Sequence, residues 1–293
     1  MKSLLTVISV FLYLLPSYLN GQDFPVAWEE LTSSDFALAV EKSQGVCVIP
    51  MGVIEKHGPQ LPLGTDVYTA REISRRAAEM EYCIVYPYYF MGQIFEAKHQ
   101  PGTIAYSPEL LYKMLDETCK EISRNGIKKI IIVNTHGGNN YFLQYFCQTQ
   151  LAEPRDYAVY CVTVTPPADV QKKINGLRKS TTGGHADEVE TSAMMVIRPD
   201  LVKLDRADSE SGANQNRLKQ LPVYTTIKWY AQYPNHYAGD ARGANEEIGR
   251  LSIEGRSQRL SQYIKAVKED KVTIGLQNAF FKDSQAPLDT KVK

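Results

Sequence analysis

Glu55 and His57 stand two residues apart in the segment Gly52-Val-Ile-Glu55-Lys-His57-Gly58-Pro-Gln-Leu-Pro-Leu-Gly64-Thr-Asp66. An extended chain turns both side chains to one side. A loop rich in glycine and proline then brings in Asp66. Two carboxylates and an imidazole form a set suited to Zn²⁺ or Mn²⁺. By itself the segment also reads as a loop with scattered polar residues. A second segment, Asn134-Thr-His136-Gly137-Gly138-Asn139, closes an apolar run with another imidazole. Its paired glycines admit close approach of backbone or ligand, and Asn139 can cap the following helix. A third, His185-Ala-Asp187-Glu188-Val-Glu190-Thr-Ser192, places a histidine before three acids. Acids in a first helical turn complement the helix dipole, which accounts for Asp187 and Glu188. Glu190 lies one face further round and is not explained that way. The chain has five histidines, and three of them fall in these segments. Two histidines and three carboxylates, one of them bridging, suit a pair of metals that binds a shared water, lowers its pKa and polarises a carbonyl.

The elements that must position these groups alternate along the chain. Val46–Val53 is a continuous apolar run, as in a strand buried on both faces. The pattern then predicts a helix over Val67–Met80, a strand over Cys83–Tyr89, and a helix opened by Ser107-Pro108 and closed by Gly126. A strand follows over Lys129–Asn134, a helix over Asn139–Leu151 and a strand over Tyr157–Val164. Helices are expected over Asp187–Ile197 and Glu246–Asp270. This β-α-β order predicts an α/β fold, three-layer α/β/α with a mostly parallel sheet. The three motifs sit at strand ends or helix starts, where ligands bind in such sheets. Lys203–Gly239 reads as an irregular excursion of the same domain, and the chain after Phe281 as a loose tail.

Of 293 residues, 43% are hydrophobic and 23% charged. These values exclude a disordered chain, a disulfide scaffold and a polytopic membrane protein. Lys+Arg and Asp+Glu both number 33, so phosphate neutralisation has no surplus to draw on and no nucleic-acid partner is expected. Met1-Lys2 precedes an apolar run, Leu4–Leu15, that is broken by Pro16. A run of about 12 is too short to span a membrane and reads as a secretory signal peptide over residues 1–21. Residues 22–293 then form one domain, exported to a periplasm or the exterior. No cysteine follows the apolar run, so no stable membrane anchor is expected. Cys47, Cys83 and Cys161 lie in apolar runs and read as buried thiols, with one disulfide left open in an exported chain.

The three segments resemble the creatininase (creatinine amidohydrolase) family. Its pattern is similar to G-S-x-E-Q-H-G-P-H-L-P-L-G-T-D, then N-x-H-G-G-N, then H-A-G-E-x-E-T-S. This chain reads GVIEKHGPQLPLGTD, NTHGGN and HADEVETS. Pro101-Gly-Thr-Ile and Gly239-Asp-Ala-Arg-Gly-Ala-Asn-Glu-Glu-Ile-Gly resemble two weaker family segments. The resemblance implies that Glu55, Asp66 and His136 hold one divalent metal and that His57, Asp66 and Glu190 hold another. The metals would be Zn and/or Mn, with Fe an option. It implies that His185 moves the proton while a hydroxide shared by the two metals attacks a cyclic or small amide. It also implies a homo-oligomer, often a hexamer. The chain departs from the pattern at Gln60, Ile94, Ala97 and Asp187, and Lys179–Gly184 holds no tryptophan. Gln60, Glu96, His99 and Glu188 are candidate pocket residues. His236 is expected at the surface of its loop, and Tyr224, Tyr230, Tyr233 and Tyr237 are expected to pack. Other activities on the same fold are formamide deformylation and peptide trimming. A non-catalytic exported binding protein is the reading from another class.

Overall fold

The computed structural model describes residues 24–289, so the expected signal segment lies outside the described residues. Four strands form one sheet: β1 (Val46–Met51), β2 (Ile84–Val85), β3 (Lys129–Asn134) and β4 (Ala158–Thr163). All pairings are parallel, in the order β2-β1-β3-β4. The helices are α1 (Ser33–Lys42), α2 (Thr65–Met80), α3 (Pro108–Arg124), α4 (Asn139–Thr149), α5 (Ala168–Leu177), α6 (Glu188–Ile197), α7 (Lys228–Gln232), α8 (Glu246–Glu269) and α9 (Thr273–Ser284).

The period of two along the strands builds the layers. Cys47, Ile49 and Met51 of β1 face a core with Leu115, Cys119 and Ile122 of α3 and Leu143 and Phe146 of α4. Val46 and Val48 face the opposite core, with Ile73 and Ala77 of α2, Ala193 of α6 and Ile253, Leu260 and Ile264 of α8. The molecule is therefore the expected three-layer α/β/α. Phe146 is fully buried, 5.5 Å from the Tyr112 ring. Phe146→Ala is expected to cost about 3–5 kcal/mol of stability, read from urea unfolding.

The strand expected over Cys83–Tyr89 shrinks to two residues. Pro50 of β1 has no N–H to give the Tyr86 carbonyl, which accepts from Arg71 instead. Pairing resumes only as an isolated bridge between Met51 and Tyr89. α1 and α5 have no counterpart in the sequence pattern, and α9 runs on to Ser284 where a tail was expected. All five cysteines are free. Cys47 and Cys83 are buried, and burial raises both thiol pKa values, that of Cys83 to about 12. Cys161, expected inside, is only partly covered and lies 2.9 Å from the Cys147 sulfur. No helix among the described residues is long and apolar enough to cross a membrane.

Candidate metal centre

The chain leaves β1 for β2 on one side and later returns to β3 on the other. That reversal opens a crevice at the carboxyl ends of β1 and β3, where Met51 and Asn134 lie in register. Gly52 ends β1 there. A Cβ on it would sit 2.6 Å from the Asp66 carbonyl carbon, so only glycine lets the first turn of α2 press against the strand. The Thr135 hydroxyl donates to the Asp66 carbonyl at 2.9 Å and ties β3 to the same turn. Asn134 braces the loop beyond β3, giving one N–H to the His136 carbonyl and accepting from the His136 amide.

Glu55, His57, Asp66, His136 and His185 converge in this crevice, all buried, and Glu190 joins them from α6. His57 Nδ1 is 3.2 Å from the Glu55 carbonyl, which leaves Nε2 facing Asp66 Oδ1 at 3.3 Å. His136 Nδ1 faces Glu55 Oε1 at 2.7 Å and Asp66 Oδ2 at 3.2 Å. His136 Nε2 points back toward Glu96 at 3.8 Å. Glu190 Oε2 accepts from the Ala186 amide at 2.5 Å. His185 Nε2 lies 2.8 Å from the Lys56 carbonyl. Donor atoms of Glu55, His57 and Asp66 lie within 4.8 Å of one another; so do those of His57, His185 and Glu190, and those of Glu55, His185 and His236.

These groups also set one another's charge. Burial alone would raise the Glu55 carboxyl. The His136 and His185 imidazoles, with a hydrogen bond from His236, hold it well below its usual range. Burial opposes charge on His57, but Asp66, Glu55 and Glu190 carry its pKa up to about 9. His136 rises in the same way against its burial, through Glu55 and Asp66. His185 goes the other way: burial pushes it down to about 3, with His57 and His236 adding and Glu55 opposing. Glu190 rises to about 7 through burial, helped by Asp187 and Asp66 and opposed by His57. Even so, Glu55 Oε1 and Asp66 Oδ2 are buried without a hydrogen bond. Buried anionic oxygens need a cation or a donor, and this donor set fits a divalent ion.

The other candidates divide. Glu96 reaches the cluster through His136. Gln60 is fully buried and gives its amide to the Ala186 carbonyl at 2.7 Å and to Thr191, so it braces the His185 loop from behind. Glu188 is fully buried as well and accepts from the Lys179 and Ser180 amides. His99 is exposed and meets the Pro234 carbonyl and the Tyr230 ring rather than the cluster. Asp187 caps α6, accepting from the Val189 and Glu190 amides.

His236 corrects the sequence expectation most. It is buried, not at the surface, and its Nε2 meets Glu55 Oε2 in a short hydrogen bond. It arrives on the irregular excursion, where no periodicity marks which face is inward. The available signal was position: His236 stands three residues before Gly239 of the late matched segment. The excursion is pinned by paired backbone hydrogen bonds between His185 and Ala238 and by an ion pair between Lys56 and Glu210. Trp229 comes with it and stands edge-on to His185, ring centroids 6.0 Å apart.

A buried imidazole–carboxylate cluster at the switch point of a parallel sheet is the layout of a metal-dependent hydrolase. A family model described as creatinine amidohydrolase matches residues 29–264, and the chain belongs to the creatininase family. It is 27% identical over 191 residues to the creatinine amidohydrolase of Pseudomonas putida, covering 60% of this chain and 74% of that one. It is 30% identical over 164 residues to the mycofactocin precursor peptide peptidase of Mycolicibacterium smegmatis, covering 54% and 60%. A solved manganese form of creatininase shares the fold with a TM-score of 0.69, 23% identity and coverage of 83% and 98%. A zinc–zinc form of a creatininase variant does so with a TM-score of 0.69, 21% identity and the same coverage. Hydrolases of this family act on amide C–N bonds.

Proposed function

We propose that the chain is an exported, metal-dependent amidohydrolase that cleaves the C–N bond of a cyclic or small amide. The observation that carries this reading is a pair of buried carboxylate oxygens, Glu55 Oε1 and Asp66 Oδ2, that make no hydrogen bond and share a single imidazole nitrogen, His136 Nδ1. Glu55, Asp66 and His136 would hold one divalent cation, and His57, Asp66 and Glu190 a second. Zn, Mn or Fe fit that donor set. When bound, such cations polarise the amide carbonyl and acidify a neighbouring water. The Lys56 carbonyl takes the Nε2 proton of neutral His185 as its partner, so Nδ1 is the free acceptor. His185 then takes a proton from the attacking water and returns it to the leaving nitrogen. Water thus adds its oxygen to the carbonyl carbon and both hydrogens are accounted for as the C–N bond breaks. Export rests on the leader pattern of residues 1–21, and a homo-oligomer, hexameric as in the family resemblance, completes the proposal.

A second reading, cleavage of a peptide at the same centre, is favoured by the identity to a peptide peptidase. Lactams, formamides and short peptides, offered in parallel to the metal-loaded chain, separate the two. The expected result is turnover of a lactam or small amide by protein carrying near two transition metals per chain, abolished by chelation. Turnover of peptides alone would shift the assignment to the second reading. Tight binding with no turnover of any class would mark a binding protein instead.

A further inference from the structure

We propose that Trp229 and His236 are a positioning pair for Glu55, one that sets how tightly the centre holds its cation. The proposal rests on Glu55 being a metal ligand. The Trp229 indole N–H donates to His236 Nδ1 at 2.9 Å. An imidazole that accepts at Nδ1 carries its proton on Nε2. That proton is aimed at Glu55 Oε2, in the short contact noted above. Oε2 is thereby committed to His236. Oε1 is left as the oxygen that faces His136 Nδ1 at 2.7 Å and His57 Nε2 at 3.9 Å. Glu55 is thus prepared to bind a cation through one oxygen.

Without the indole, His236 could place its proton on Nδ1 instead. Its Nε2 lone pair would then face a carboxylate oxygen and push Glu55 out of line. The carboxylate at Nε2 and the donor at Nδ1 both favour the Nε2–H tautomer, and the indole nitrogen, a donor only, gives the Nδ1 proton no partner. The local backbone is held for the purpose. His236 has φ 52°, left-handed for a non-glycine residue, and such a conformation persists only where the surroundings over-determine it. The paired hydrogen bonds at Ala238 supply that constraint two residues on. The half-buried Trp229 is one of two tryptophans in the chain, and the excursion it belongs to carries none of the other proposed ligands. The irregular segment therefore acts on the metal through one carboxylate.

Chelator competition with Mn²⁺ or Zn²⁺ on the full chain and its variants tests this. Trp229→Phe replaces the indole with a smaller aromatic ring that has no N–H; it is expected to weaken binding about 10–100-fold, the usual effect of removing a hydrogen bond that orients a ligand. His236→Ala should do the same. His236→Gln places an amide N–H where Nε2 was and should bind near the level of the parent. In the His236→Gln background, Trp229→Phe should add nothing, because the amide needs no tautomer set. Unchanged affinity in Trp229→Phe overturns the proposal. So does equal weakening in the Ala and Gln variants at 236, a comparison that decides the matter even if Trp229→Phe does not fold. So does a Trp229→Phe effect that persists beside His236→Gln, which would mean the indole acts by packing. Glu55→Gln is the control: if it keeps its metal, the ligand assignment itself fails.

Discussion

Asp66→Asn is expected to lose both metals and about 10³-fold or more of turnover. Asp66 is buried and turns one oxygen to each imidazole: Oδ1 to His57 Nε2 and Oδ2 to His136 Nδ1. It is the proposed ligand shared by both cations. Asparagine keeps the shape but removes the charge and replaces one acceptor with a donor N–H₂, which repels a cation. The substitution sits in the first turn of α2, where losing an acid weakens the helix by only about 0.3–1 kcal/mol. The fold should therefore survive while the centre does not. Elemental analysis and turnover on one preparation check this. An Asp66→Asn chain that retains near two metals per subunit would refute the shared-ligand assignment.

His185→Ala should separate chemistry from metal. Its Nε2 is committed to the Lys56 carbonyl and its remaining nitrogen is the proposed proton carrier. Loss of a general acid–base group typically lowers kcat about 10²–10⁴-fold. Metal content should stay at the parental level, because both proposed ligand sets are intact. His185 also lies within reach of Glu55 and His236, and of His57 and Glu190. A fall in metal content in His185→Ala would therefore make it a ligand rather than a proton carrier.

The sheet could be read from the chain because its strands are buried on both faces. VCVIPM is an unbroken apolar run and KIIIVN holds one between Lys129 and Asn134, and both became six-residue parallel strands. Pro50 defeated the same reasoning at β2: its own apolar run continues through it, but it has no N–H for the next rung to the Tyr86 carbonyl. The cluster was legible where its residues lie at strand ends, as Glu55, His57 and His136 do. The roles of Gln60 and Glu188 were not, because a polar residue beside a site and one bracing its loop look alike in sequence. Only hydrogen-bond partners distinguish them. His236 was misplaced because a Tyr/Pro/Asn-rich segment reads as surface, whereas its burial is decided by a contact with a residue 181 positions earlier.

That separation has a consequence for biosynthesis. Glu55 is made 181 residues before His236. At roughly 5–20 residues per second, about 10–40 s pass between the two. Throughout that interval the ribosome holds a chain whose first carboxylate already exists while the imidazole that aims it does not. The centre thus cannot be complete until residue 236 has been made, long after its first carboxylate.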